Sequence, residues 1–517
     1  MAPTFYVTDP LMLKHKCEWD SAHVEQPLRL SSITDRITAT GLASKCIRLA
    51  SRTATVEEIL TVHTQKYYDV IKGTQNMDLE SLEALSSTFE DLYLNQHSYN
   101  SAMLSAGCAL TALDAVLKTE GSNGFAAIRP PGHHAAPDAG CGFCIFNNVA
   151  ICAKEARKRG LERVLIIDWD VHAGQGTQYC IEGDPGIKLV SIHRYEDGCF
   201  WPNLPESGIE QPYSNTINVP LDVPGYGNFE YAAFIDMFIR PIIADYKPEL
   251  ILVSCGFDAG FGDRLGKMEV TPAGYGYMTG TLASLGIPLL LLQEGGYFID
   301  ALPYHAERTV QALIERKPLN LPLTIDDKAS LNSQFLRQLF GAMDQYRKEF
   351  PTFQIILNQF KELHPSGFNF IISTYKGVRE FDGPPYPTRG SYPPFADLEK
   401  FQSELHNVIL PPYQHPEKRE HLEVQINTEN GGVSFIRSND KGKTPVATII
   451  PTADGLSRSK QVLFCYYLVY LPLTWTFSIN SWEDVSKILH TVKGSHDDTL
   501  KISSESGSVL NFLGNGF

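Results

Sequence analysis

Asp168-Trp169-Asp170-Val171-His172 directly follows the apolar run Val164–Ile167, so three polar side chains sit at alternate positions where a buried strand should end. Residues two apart on an extended chain point the same way, which puts Asp168, Asp170 and His172 on one face. Asp258 ends a second such run, Leu250–Ser254 followed by Cys255-Gly256-Phe257. One imidazole and two carboxylates leave open positions on a divalent ion, the composition of a catalytic rather than a closed structural site. Nitrogen and oxygen ligands suit Zn2+, and Fe(II), Co(II) or Mn(II) can use the same donors. A lone aspartate after a strand more often caps the next helix. Asp-X-Asp-X-His with a second strand-end aspartate is harder to explain that way.

Two further strand ends carry groups able to move or donate a proton. Arg129-Pro130-Pro131-Gly132-His133-His134 follows Phe125–Ile128. Its prolines and glycine set a stiff turn, and imidazole is suited to proton transfer near neutral pH. Gln293-Glu294-Gly295-Gly296-Tyr297 follows Leu289–Leu292, and the double glycine lets a tyrosine hydroxyl approach closely. No serine or cysteine with an adjacent base competes for the role of nucleophile. The parts point to metal-activated water attacking a carbonyl.

These groups must be positioned by the elements around them. Phe125–Ile128, Arg163–Ile167, Lys188–Ile192, Leu250–Ser254 and Pro288–Leu292 read as short buried strands, with helical patterns such as Asn148–Arg159 and Tyr231–Tyr246 between them. That alternation predicts an α/β fold with a central parallel sheet flanked by helices and a site at the carboxyl ends of its strands. Residues 1–100 read as mainly helical, with a helix start at Thr55 followed by Glu57 and Glu58. Composition changes near 345, where Pro, Gly and Tyr become frequent over 365–420 and strand-like runs follow at Leu422–Ile426, Val433–Ile436 and Val446–Ile450. We expect a catalytic domain over 1–345 and a smaller accessory α+β domain over 346–517. The uncharged stretch Val462–Ile479 approaches the length of a membrane span, but its Tyr, Thr, Val and Phe content and Pro472 favour buried strands.

The 517 residues carry a formal net charge of -15, which argues against sequence-independent nucleic-acid binding and is compatible with a cationic polypeptide substrate. The N-terminus shows no basic segment followed by an apolar one, so secretion is not expected. The ten scattered cysteines then read as reduced thiols in the cytoplasm or nucleus.

In these motifs the chain resembles the zinc-dependent histone deacetylase family, class II and most closely class IIb. The matching segments are Arg129–His134, Cys141–Asn148, Asp168–Gln178, Ser191–Phe200, Gly256–Asp258 and Glu294–Tyr297, in family order. The resemblance implies an arginase/deacetylase-like fold and removal of acetyl groups from N6-acetyl-lysine of proteins. It implies one Zn2+ on Asp170, His172 and Asp258, His134 as general base and acid, His133 as its electrostatic partner, and Tyr297 polarising the amide carbonyl. Asp168 would orient His133, and Gln175 would partner His134. Phe143 and Phe200 match the aromatic walls of the acyl-lysine tunnel, with Gly142, Asp91 and Leu265 at its substrate-contacting positions. Asp168, Asp170, His172 and Ser191 match a structural K+ site.

Some positions depart from the family pattern. Ala173 stands where a second histidine is usual, Gln175 where an Asp or Asn is, and Arg264 where a Pro is. Members that deacetylate polyamines carry a glutamate at the position of Leu265, so its absence favours a protein lysine. An acetylpolyamine or small-amide hydrolase, and a weakly active scaffold that binds acetylated peptides, are the competing readings. Any protein partners would engage the C-terminal domain. Cys141-X-X-Cys144 has no second cysteine pair at ribbon spacing and reads as part of the loop before Phe146.

Overall fold

The protein is described here by a computed structural model, which places residues 2–319, 321, 332–363 and 369–377, and the backbone of seven strands between 421 and 511. The chain divides into two compact units. One spans Met1–Ile325, Asn332–Phe353 and Phe370–Leu410; the other spans Asp326–Leu331, Gln354–Asn369 and Pro411–Phe517.

Eight parallel strands form the sheet of the first unit: β1 (Thr4–Val7), β2 (Ile47–Arg48), β3 (Asn123–Ala126), β4 (Val164–Asp168), β5 (Ile187–Arg194), β6 (Thr216–Leu221), β7 (Leu250–Cys255) and β8 (Leu289–Gln293). Their spatial order is β2-β1-β3-β8-β7-β4-β5-β6. The five apolar runs of the sequence fall in β3, β4, β5, β7 and β8, which are consecutive neighbours in the middle of the sheet. Residues of β4, β7 and β8 are buried throughout, as a sheet covered on both faces requires.

Three strands were not expected. The N-terminal hundred residues are not only helical, because β1 pairs in parallel with β3 and β2 with β1. Runs of four and two residues are too short to show a period. The strand β6 contains Pro220, which hides it in a sequence reading, yet β6 pairs only with β5 and an edge strand tolerates a missing N–H. The single helix expected over Tyr231–Tyr246 is instead α-helix Asn228–Ala233, π-helix Phe234–Ile239 and α-helix Arg240–Tyr246. Pro241 lacks an N–H, and its ring would collide with the carbonyl of the preceding turn, so that turn widens.

Local signals hold elsewhere. Thr55 Oγ1 accepts the Glu58 N–H at 3.2 Å while the Glu58 carboxylate accepts the Thr55 N–H at 2.7 Å, closing a capping box on helix Val56–Ile59. Asn147 caps helix Asn148–Lys158 through the Ala150 N–H. Helix Ser98–Lys118 is long and apolar enough to cross a membrane, but 72% of its apolar window is buried, and it lies across β1, β3 and β8.

In the second unit, strands His421–Ile426, Val433–Asn439 and Gly442–Ile449 are antiparallel neighbours and hold most of the three runs read from sequence. Lys501–Ser504 pairs in parallel with the first of them, and Val509–Asn511 completes five strands. Val462–Ile479 and most of 365–420 lie outside the described residues.

Candidate functional site

Each of β3, β4, β5, β7 and β8 delivers one segment to the same end of the sheet. After β4 and β7, His172 Nδ1 stands 3.2 Å from Asp170 Oδ1 and 3.2 Å from Asp258 Oδ2. Ligands about 2.0–2.1 Å from one tetrahedral ion stand roughly 3.3 Å apart, so these three atoms have the spacing such an ion imposes. The outer carboxylate oxygens are occupied: Gly295 N–H donates to Asp170 Oδ2 at 2.9 Å and Val171 N–H to Asp258 Oδ1 at 2.8 Å. Both aspartates are fully buried. Burial, then the Asp170 charge, pushes the Asp258 carboxyl up to about 7, a repulsion that a divalent cation would relieve. The residues therefore fit a metal ion.

Among the described residues, two other groups of three could bring metal-ligating atoms together, His133–His134–Asp170 and His133–Cys144–Glu294. Burial alone would depress His133, but Asp170 and Asp168 outweigh it and hold the imidazole up to about 10. His133 Nδ1 is taken by Asp168 and Glu294 Oε2 by two backbone N–H groups, whereas His172 Nδ1 faces an oxygen of each of Asp170 and Asp258. The first group is the better fit.

His133 Nδ1 donates to Asp168 Oδ2 at 3.0 Å, and its ring packs 3.8 Å from that of His134. His134 Nδ1 meets Gln175 Oε1 at 2.8 Å; a carbonyl oxygen only accepts, so Nδ1 carries the proton and Nε2 is free to take one. Burial, then His133 and His172, hold His134 well below the ordinary histidine range, leaving it neutral. Tyr297 packs edge-on against Phe143 at 5.6 Å, and the Arg29 guanidinium lies 4.8 Å over its ring. Burial raises the phenol well above its usual range, so it stays a hydrogen-bond donor.

The remaining expected positions surround this centre. Phe200 stacks on the His172 ring at 5.2 Å, and Arg194 lies 3.9 Å over Phe200 while reaching the Gly266 carbonyl at 2.9 Å. That contact brings the Leu265 loop beside Phe200. Gly142 and Phe143 have φ of +51° and +67°, and their N–H groups donate to the carbonyls of Glu90 and Asp91. A Cβ on Gly142 would stand 2.5 Å from the Trp201 ring and 2.7 Å from His134, so only glycine fits there. Asp91 is exposed, with φ +50°. Ser191 is the register partner of Asp168, and its hydroxyl bonds His193 Nδ1 at 2.8 Å. Ala173 is buried, and the nine cysteines among the described residues, Cys141 and Cys144 included, are all free.

Residues 23–313 match the family described as the histone deacetylase domain. The chain belongs to that family. The chain is similar to the polyamine deacetylase HDAC10 of Homo sapiens, 42% identical over 316 residues that make up 59% of this chain and 47% of that protein. It is similar also to histone deacetylase clr3 of Schizosaccharomyces pombe, 37% identical over 318 residues, 58% of this chain and 46% of the relative. A crystal structure of the HDA15 HD domain superposes with a TM-score of 0.62 at 30% identity, covering 69% of this chain and all of the other. The chain thus spans about half the length of the curated relatives it matches. The fold is the arginase/deacetylase-like α/β fold, and the deacetylase family is zinc-dependent.

The deacetylase domain also uses residues that the sequence reading passed over. Glu294 Oε2 accepts the N–H groups of Gly132 and His133, at 2.7 and 3.1 Å, fixing the paired histidines to the end of β8. Asp263 accepts from Leu265 at 2.9 Å and from Tyr297 at 2.7 Å, tying the rim loop to the tyrosine loop. Trp201 sits edge-on to His134 at 4.6 Å and donates its indole N–H to Glu90. Behind Tyr297, Glu25 pairs with both Arg29 and Arg129, at 2.9 and 2.6 Å, and all three side chains are fully buried. Arg29 in turn donates to the carbonyl oxygens of Gly296 and Glu294. Trp201 directly follows a motif already singled out; Glu25 and Arg29 look like any i,i+4 surface pair.

Proposed function

We propose that this chain hydrolyses the acetyl amide of N6-acetyl-lysine in proteins or peptides, histone or non-histone, with one Zn2+ held by Asp170, His172 and Asp258. The observation that carries this reading is the convergence of the ligand triangle, a neutral His134 with a free Nε2 and the Tyr297 ring against Phe143 at one sheet end. A zinc ion bound there supplies Lewis acidity toward the acyl oxygen and toward water. His134 takes a proton from the attacking water through Nε2 and returns one to the lysine nitrogen as it leaves. His133, kept protonated by Asp168 and Asp170, supplies positive charge beside it as the carbonyl oxygen becomes negative. The Tyr297 hydroxyl donates a hydrogen bond to that oxygen. Phe143 and Phe200 hold the uncharged four-carbon stem, with Gly142 and Asp91 beside them at the mouth.

Acetate release from an acetyl-lysine peptide tests this directly. Activity is expected to disappear with a zinc chelator and to return with added Zn2+. Zinc-replete protein that binds the peptide without releasing acetate would favour the scaffold reading, for which Ala173 is the clue.

A second reading, an acetylpolyamine or small-amide hydrolase, is supported by the likeness to the human polyamine deacetylase HDAC10. Leu265 weighs against it, because an apolar side chain at this rim position offers a second ammonium no carboxylate there. Leu265→Glu is expected to raise the kcat/KM ratio of N-acetylspermidine over acetyl-lysine peptide by about tenfold, the worth of one partly screened charge pair. An unchanged ratio would show that this position does not choose the substrate.

The division into a catalytic domain over 1–345 and an accessory domain over 346–517 that meets protein partners rests on the composition change. A structural K+ at Asp168, Asp170, His172 and Ser191, a cytoplasmic or nuclear place, and independence from nucleic acid and membrane complete the proposal.

A further inference from the structure

The loop that carries Phe200 and Trp201 closes some hydrogen bonds of its own, Phe200 N–H to the Tyr195 carbonyl at 3.1 Å and Asn203 Nδ2 to the Gly198 carbonyl at 3.1 Å, yet its backbone is costly. Glu196, Asp197, Gly198 and Asn203 all have φ between +52° and +90°, and for the three that are not glycine this conformation costs free energy. A second segment adds to what holds it. The segment Phe370–Gly377, beyond the end of the family match at residue 313, lies along this loop. Lys376 donates its N–H to the Asp197 carbonyl at 2.7 Å, and its ammonium pairs with the Asp197 carboxylate. The Tyr375 hydroxyl donates to the Asn203 carbonyl at 3.3 Å. A Cβ on Gly198 would stand 2.3 Å from Cδ2 of Tyr375, so the ring lies directly on the glycine backbone. The Cys199 thiol donates to the Gly377 carbonyl at 3.4 Å. The segment is itself anchored, by the Ser373 hydroxyl on Asp222 at 2.6 Å and by the Ile371 N–H on the Arg337 carbonyl at 3.0 Å.

We propose that Tyr375 and Lys376 are positioning residues for the substrate tunnel: the strap Phe370–Gly377 sets the Phe200–Trp201 wall and thereby the affinity for the acyl-lysine stem. The inference rests on the deacetylase reading above for its substrate, and on the loop contacts alone for its structural half. Neither residue touches the reacting atoms. Their loss should therefore weaken substrate holding far more than it slows the chemical step at His134 and Tyr297.

The test uses the full chain carrying Tyr375→Ala with Lys376→Ala. Amide hydrogen exchange over 196–203 is expected to quicken about tenfold while β4 and β7 keep their protection. KM for an acetyl-lysine peptide should rise about five- to tenfold with kcat within about twofold. Tyr375→Phe with Lys376→Arg keeps the ring on Gly198 and the cation on Asp197, and should recover most of the protection and the parental KM. Unchanged exchange over 196–203, or equal falls in kcat and kcat/KM with KM constant, overturns the proposal. Should the double variant lose protection in β4 and β7, Lys376→Ala alone is read by the same exchange measurement. Should the parent protein release no acetate, the exchange result still decides whether the strap holds the wall, so the two readings fail separately.

Discussion

Glu25→Ala is expected to lower the unfolding free energy by about 3–5 kcal/mol, the usual cost of breaking a fully buried ion pair from one side. The Glu25 carboxylate faces Arg29 at 2.9 Å and Arg129 at 2.6 Å, with no side-chain exposure on any of the three. Burial alone would raise the Glu25 carboxyl, but Arg129 and Arg29 outweigh it and hold it well below the usual carboxylate range. Alanine would leave two buried guanidinium groups facing each other, bonded only to carbonyl oxygens and to the Tyr93 hydroxyl. Because the folded-state pKa is depressed, this stabilisation is complete above the ordinary carboxylate pKa and is lost as pH falls below it. Denaturant midpoints at neutral pH measure the effect; a loss under about 1 kcal/mol would show that the carbonyl partners suffice.

Tyr297→Phe is expected to cut turnover by about 2–4 kcal/mol of transition-state stabilisation, roughly 30- to 1,000-fold, with metal content unchanged. The ring loses only its hydroxyl, so its edge contact with Phe143 and its place under Arg29 remain. The ligand triangle lies on other segments and keeps its backbone donors from Val171 and Gly295. Single-turnover rates with zinc stoichiometry separate this outcome from damage to the site. Full turnover in the phenylalanine variant would mean that the phenol does not face the carbonyl.

The centre of the site was legible because it follows strand ends, and strand ends show in sequence as apolar runs that stop at charged residues. Asp170, His172, Asp258 and Tyr297 could each be found that way. What holds them could not. Glu294 and Asp263 act through single oxygens that accept backbone N–H groups from segments distant in sequence, and no local pattern reports such a bond. Glu25 lies just before helix Leu28–Ala39 and Arg29 in its first turn, a spacing that an exposed ion pair shares, so their burial is decided by tertiary packing alone. The strands β1, β2 and β6 show no sequence signal for a simpler reason: two are very short and the third contains a proline.

The ligand triangle draws its members from β4 and β7, which are hydrogen-bonded neighbours in space although Asp170 and Asp258 belong to separate stretches of the chain. An ion shared between them would work as a removable rivet across the ends of two central strands, gripping the native arrangement and finding no comparable partner in the unravelled chain. Metal supply would then govern how much folded protein a cell retains as well as how fast each molecule works.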